Sequence, residues 1–396
     1  MVELKEYNFS DLYEMSSGLS SKKEQAGHGA PFVSFRTVFN NYFLPDELDD
    51  KMDTNLSEQE IYSVKADDIL LTRTSETIDE LGMSCVVLND VPNATYSGFT
   101  KRLRPKVKGV VYSKYIGFYL RTKMFRKTMT NNAFMTLRAS LNDEIFSYLK
   151  LYLPDYQTQV KIGDLLYSLN QKIALNNKTN SELENMAKSI YDYWFTQFDF
   201  PDKNGNPYKT SGGQMVYNET LKRDIPAGWE SGTFGDLIEI GNGKDHSKLE
   251  NGEIPVYGSG GLMRKVNKQL YEGESVLFPR KGTLNNVMYA NENFWTVDTM
   301  FYSIPKQPST AIYVYYNAKI IDFERMNTGT GVPSMTSSII KELSIIIPEN
   351  SVLYSFDSKM QTIYKEIFKN KKENEELTKL RDYLLPLLMN GQIEVK

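Results

Sequence analysis

Two stretches of the chain place apolar residues at alternating steps of four and three. From Ile162 the steps fall on Leu166, Leu169, Ile173, Asn176, Asn180, Leu183, Ala187, Ile190 and Trp194. From Phe356 they fall on Met360, Ile363, Ile367, Asn370, Asn374, Leu377, Arg381, Leu384 and Leu388. Strict alternation over this length is the seam rule of a coiled coil, whereas a helix lying on a globular core needs a broader stripe. The pattern predicts two long helices, 155–199 and 350–396. Asparagines break each seam at its middle: Asn176 and Asn180 in one, Asn370 and Asn374 in the other. Side by side they form a polar layer that fixes register but not direction, because parallel and antiparallel pairing both bring them together. A two-fold arrangement of equal copies favours antiparallel.

Elsewhere the periodicity is short. Runs such as 69–71, 85–88 and 275–278 read as strands between Gly, Asn and Pro breakers, and 114–129 and 310–326 read as helices. These elements repeat. Phe9-Ser10-Asp11-Leu12 and the residues after it align with Phe234-Gly235-Asp236-Leu237 at a shift of 225, and Pro31-Phe32-Val33 with Pro255-Val256-Tyr257 at 224. Ala66–Arg73 aligns with Gly273–Arg280 at 207, and Leu153-Pro154 with Ile347-Pro348 at 194. Matches in one order with shrinking shifts mean two copies of one plan, the first with longer loops. The Pro-, Gly- and Asn-rich run from Phe200 to Tyr208, followed by Ser211-Gly212-Gly213, reads as a surface linker between them.

Composition narrows the function. The single Cys85 excludes a disulfide framework and a Cys-based zinc site, so a reducing, cytoplasmic setting is expected. The start of the chain has no signal-peptide pattern, and no apolar run approaches the ~18–20 residues of a membrane span. The net charge of −4 conceals an asymmetry. Between Val91 and Asn142 there is no Asp or Glu, but eleven basic residues: Lys101, Arg102, Arg104, Lys106, Lys108, Lys114, Arg121, Lys123, Arg126, Lys127 and Arg138. Such a stretch in an otherwise acidic chain is a candidate phosphate-contacting face, or a solvated basic one.

Several segments together resemble the specificity (S) subunit of type I restriction-modification enzymes. They are Leu153-Pro154 leading to Leu169-Asn170-Gln171-Lys172-Ile173, Leu183-Glu184-Asn185-Met186-Ala187 running to Tyr193-Trp194-Phe195, Asn206-Pro207-Tyr208, Ile225-Pro226-Ala227-Gly228-Trp229, and Leu385-Pro386-Leu387-Leu388-Met389-Asn390-Gly391. The likeness spans essentially the whole chain. One departure is Pro348-Glu349-Asn350-Ser351, where the family has a Pro-rich, Gln-containing entry to the second helix.

The resemblance implies an α+β fold: two mixed α/β target-recognition domains joined by two long antiparallel coiled-coil helices, an internal pseudo-two-fold repeat. The expected boundaries are 1–154, first recognition domain; 155–199, central helix; 200–228, linker; 229–349, second recognition domain; and 350–396, C-terminal helix. It also implies a non-catalytic subunit that reads a bipartite double-stranded DNA target, one half per domain. The helices would set the spacing and dock two modification (methyltransferase) subunits, with restriction (motor-nuclease) subunits joining for cleavage. S-adenosylmethionine, ATP and Mg would then be held by those partners and none by this chain.

In each domain the polar loop after the strand at 69–71 or 276–278 is the best candidate reader. It holds Arg73, Thr74 and Ser75 in the first copy and Arg280, Lys281 and Thr283 in the second. Arginine grips guanine O6 and N7 bidentately, and hydroxyls serve bases or phosphates. Lys101, Arg102, Arg104, Lys123, Arg126 and Lys127 join them from the basic stretch. In the second copy Lys244 and Ser259 are added, with His246, Lys248, Arg264, Lys265 and Lys268 as weaker candidates. The alternative for each arginine is a local pairing with an acid. Catalytic material is sparse. Asn206-Pro207-Tyr208 lacks a proline of the adenine-methyltransferase motif, two Gly-x-Gly pairs are too short for a nucleotide site, and there are two histidines. The rival readings are a stand-alone DNA methyltransferase or nuclease, and a coiled-coil scaffold that reads nothing.

Overall fold

The computed structural model describes residues 3–75, 81–132, 139–140, 143–329 and 331–395. It divides into two compact units, Met1–Asn176 with Lys372–Lys396, and Asn177–Lys371. The first unit is therefore discontinuous in sequence, the second is one continuous stretch, and each long helix contributes to both. The helices run Tyr156–Tyr191, ending in a wide turn at Asp192–Thr196, and Asn350–Met389, with Pro386 in its last turn. Among the described residues no helix is long and apolar enough to cross a membrane.

The first unit is built on a four-stranded sheet. Its strands lie in the order Tyr13–Ser17, Thr100–Pro105, Ile69–Thr72, Ser84–Val86, all antiparallel. Beside it Ala26–Val33 pairs in parallel with Thr95–Tyr96. Lys5–Asn8 and Lys150–Leu153 form a separate antiparallel pair. The second unit repeats this order in one longer sheet: Ile238–Asn242, Met300–Pro305, Tyr271–Pro279, Met288–Thr296, Asn251–Gly258, Gly261–Val266. The parallel pairing of Phe32 with Thr95 returns as Val256 with Trp295, and the outer pair returns as Glu230–Thr233 with Ser344–Ile347. Both one-turn helices after the outer strand start alike. The Asn8 side chain donates to the Asp11 carboxylate at 2.8 Å, and Thr233 donates its backbone N–H to Asp236 at 2.7 Å. In the second copy Thr233 and Asp236 form a reciprocal capping box.

The cores explain the helices. In the first unit Phe9, Leu103, Ile116, Phe118 and Leu153 share one buried cluster with Ile162 and Leu166 from the first long helix, and with Leu385, Leu388 and Met389 from the second. In the second unit Phe234, Val276, Phe278 and Tyr313 share theirs with Phe356 and Met360, and with Tyr191, Trp194 and Phe195. Each domain thus covers its apolar face with the start of the helix that follows it and the end of the other. Every position of both four-and-three seams is buried or partly buried. The run 200–228, expected as a bare linker, is folded: Phe200 stacks on Tyr208 and Trp229 at 4.6 and 4.9 Å, and Met215–Asn218 pairs with Arg223–Pro226.

Candidate nucleic-acid interface

The basic stretch of the first domain divides by burial. Arg104 clamps the fully buried Asp68 bidentately, Nε to Oδ1 at 2.8 Å and Nη2 to Oδ2 at 2.6 Å, and the pairing raises the guanidinium pKa. Arg102 donates to the Ser63 carbonyl at 2.7 Å and lies over the Tyr96 ring. Lys101 is buried and donates to the Ser17 hydroxyl at 3.0 Å. Arg121 donates to the carbonyls of Val38, Phe39, Asn41 and Ser84, and burial presses its pKa down. Lys101, Arg102 and Arg104, expected to face phosphates, thus have partners inside the domain. On their strand Lys101 and Arg102 are buried and Arg104 is partly so, and all three are hydrogen-bonded within the domain. Arg126 is half-way: its guanidinium donates to the Leu81 carbonyl. Lys106, Lys108, Lys123 and Lys127 are exposed. Arg138 lies outside the described residues, as do the side chains of Thr74 and Ser75.

The loop arginines hold equivalent places in the two domains. The Arg73 N–H donates to the Phe99 carbonyl and the Arg280 N–H to the Thr299 carbonyl, both at 2.8 Å. Around them a whole corner repeats. Leu19 donates to the Tyr96 carbonyl as Lys244 does to Thr296, at 2.8 and 2.9 Å. Ser97 donates to Val33 as Val297 does to Tyr257, both at 3.0 Å. Thr100 donates to Ser97 as Met300 does to Val297, both at 2.9 Å. Gly18 and Gly243 are required here, because a Cβ on either would collide with the carbonyl of Ser97 or Val297. Each domain thus presents a rigid turn, 97–100 or 297–300, beside its candidate arginine.

In the second domain the corner is wider. The Asn286 amide donates to the Ser259 carbonyl at 2.8 Å, bringing the turn at 258–261 against the loop that holds Arg280, Lys281 and Thr283. Gly282, at φ +91°, donates to the Pro333 carbonyl at 3.0 Å, and Met335 donates to Arg280 at 2.9 Å. Arg280, Lys281, Thr283 and Lys244 are all exposed, and Ser259 is partly so. Next to Lys244, the Ser247 hydroxyl and N–H hold the Asp245 carboxyl below its usual range. Arg264 is engaged locally, donating to the His246 and Leu249 carbonyls at 2.8 and 2.7 Å. Lys248 and Lys268 are exposed.

Sequence reasoning missed the two turns and the exposed Lys22 and Lys23, which follow Leu19 out of the first corner. The seam asparagines form one pair in each unit. Asn176 donates to Asn374 at 2.9 Å and to Glu373 at 2.7 Å, and Asn370 donates to Asn180 at 2.9 Å. Among the described residues no group of three or more His, Cys, Asp or Glu could hold a metal ion.

A family model described as the type I restriction modification DNA specificity domain matches residues 1–185 and 226–379, a stretch on each copy of the repeat. The type I restriction enzyme MjaIX specificity subunit of Methanocaldococcus jannaschii is 24% identical over 420 residues, covering 98% of this chain and 92% of that protein. The type I restriction enzyme HindI specificity subunit of Haemophilus influenzae is 24% identical over 469 residues, covering 99% of this chain and 100% of that protein. Among solved structures, the S subunit of a type I restriction-modification system from M. genitalium shares the fold. Its TM-score is 0.63 at 15% identity, covering 98% of this chain and 96% of that one.

Proposed function

The chain belongs to the family of type I restriction-modification specificity subunits, and from that premise we propose that its two domains each read one half of a bipartite double-stranded DNA target. The observation that carries the reading is the repeated corner. Backbone hydrogen bonds match pair by pair across the two domains, while side chains mounted there differ, as Leu19 and Phe99 do from Lys244 and Thr299. One frame carrying two sets of side chains suits two different half-sites. Sequence would be read by Arg73 in one domain and by Arg280, Lys281 and Thr283 in the other. Exposed lysines (22, 23, 106, 108, 123 and 127 in the first domain, 244 in the second) would neutralise phosphates.

The reading extends to the helices and partners. The two long helices pair as an antiparallel coiled coil, supported by asparagine partners whose numbers rise on one helix as they fall on the other: 170 with 381 and 176 with 374. They set the gap between half-sites and dock two modification subunits, which carry S-adenosylmethionine and the methyl transfer. Restriction subunits using ATP and Mg join for cleavage, and the assembly acts on DNA in the cytoplasm.

The test is the methylation pattern of host genomic DNA, with and without this gene. A split motif that vanishes with the gene is expected. Exchanging residues 229–349 for those of a relative should then change one half of the motif and keep the other. Changes in both halves, or in neither, would overturn the assignment of one half per domain. S-adenosylmethionine binding by the isolated chain would instead move the chemistry into this protein.

A further inference from the structure

The turn at 97–100 is braced on every side. Gly98 donates to the Leu19 carbonyl at 2.7 Å, and the N–H and hydroxyl of Thr100 both donate to the Ser97 carbonyl, at 2.9 and 2.7 Å. Phe99 donates to the Ser97 hydroxyl at 3.2 Å and accepts from Arg73 at 2.8 Å. The turn nevertheless leaves the Phe99 side chain 64% exposed. Leaving most of a large apolar side chain in water forgoes the gain of burying it, so packing within the domain does not explain the ring. On one side of the turn stands Arg73, and on the other Leu19 leads into the exposed Ser20-Ser21-Lys22-Lys23. In the second domain the equivalent turn carries the half-buried Thr299, with Arg280 donating to its carbonyl and Met300 to that of Val297. An apolar ring on a rigid turn, flanked by cations that suit phosphates, has the make-up of a base-contacting element.

We propose that Phe99 is a specificity-determining residue of the first domain, packing its ring against an apolar base edge in the first half-site. In the major groove that edge is the C5 methyl of thymine. Thr299 occupies the same place in the second domain, offers a hydroxyl and a small methyl, and makes the two domains prefer different bases there. The inference rests on the reading of one half-site per domain.

The test uses the full chain assembled with its modification subunits, with Phe99→Ala and Phe99→Thr as variants and host genomic DNA as the first probe. The motif should relax or change at one position of one half-site, while the other half and the gap stay the same. On a duplex carrying the wild-type motif, binding should weaken by about tenfold or more, as for one mismatched pair. Replacing thymine by uracil at that position removes only the methyl. It should reproduce the loss with the wild-type protein and add nothing with Phe99→Ala. An unchanged motif and affinity overturns the proposal, as does an equal loss on all sequences with a lowered melting temperature. A wild-type complex that shows no split motif would instead remove the reading beneath it.

Discussion

Leu388 lies more than two hundred residues from the first domain, yet it sits in that domain's core at 3% exposure, in one cluster with Ile162, Leu166 and Leu103. Leu388→Ala removes a buried branched side chain, a change that costs ~2–5 kcal/mol through lost transfer energy and the cavity left behind. A loss of about 3 kcal/mol raises the opening equilibrium of the unit roughly 150-fold. The chain supplies its own reporters. Its only cysteine, Cys85, lies in the first unit on the strand Ser84–Val86, whose Val86 shares the cluster with Leu388. Burial pushes the Cys85 thiol up to about 12, so at pH 8 it reacts chiefly when the unit opens. All three tryptophans, Trp194, Trp229 and Trp295, lie in the second unit. Thiol labelling of Leu388→Ala should therefore run about a hundredfold faster than wild type, with tryptophan fluorescence unchanged under the same conditions. Phe195→Ala, in the second unit's core, should do the reverse. A Cys85 labelling rate that Leu388→Ala leaves alone would refute the idea that residues 372–396 complete the first domain.

Arg104→Ala should act as a folding mutation, costing ~3–5 kcal/mol because it strands the buried Asp68 carboxylate, and urea melting checks this. Little loss of stability together with weaker DNA binding would return Arg104 to the interface. Lys123→Ala with Lys127→Ala should leave stability within about 0.5 kcal/mol. The same pair should flatten the slope of log K against log salt by roughly 0.9 per lost phosphate contact, and an unmoved slope excludes these lysines from the interface. Asn180→Leu alone should destabilise by ~1–3 kcal/mol by leaving Asn370 without its partner, whereas leucine at 176, 180, 370 and 374 together should raise the melting temperature. The opposite order in calorimetry would show that the asparagines do not act as pairs. Adding one heptad to each long helix lengthens it by roughly 10 Å, so the gap in the methylated motif should grow by about three base pairs with both half-sites kept. A motif with its original gap rules out the helices as the spacer.

The seam and the duplication could be read from the sequence because both are one-dimensional. Residue 162 and residue 356 begin the same march of steps, and Phe9-Ser10-Asp11-Leu12 declares itself again at Phe234. The interface could not. Counting charges treated Arg102 and Arg104 as surface, since their partners Ser63 and Asp68 are distant in sequence and come to them through the pairing of Ile69–Thr72 with Thr100–Pro105. Arg121 finds its acceptors at 38–41 and 84, again across the fold. The corner turns were hidden for another reason. Tyr96–Thr100 and Thr296–Met300 share no identical residue, so their equivalence lies wholly in backbone hydrogen bonds.

That each unit takes helix from two distant parts of the chain also imposes an order in time. A ribosome releases residues in sequence, at about 5–20 per second in vivo. The segment up to Asn176 must therefore wait for the synthesis of everything to Lys372, roughly 10–40 s, before Leu385, Leu388 and Met389 can close over Ile162 and Leu166. For that interval the first domain's apolar floor is covered by the first long helix alone. The second unit has no such delay, because Tyr191, Trp194 and Phe195 are made before the domain they cover. The earlier-made half is thus the later to be finished, and its nascent form is where a chaperone would find its substrate.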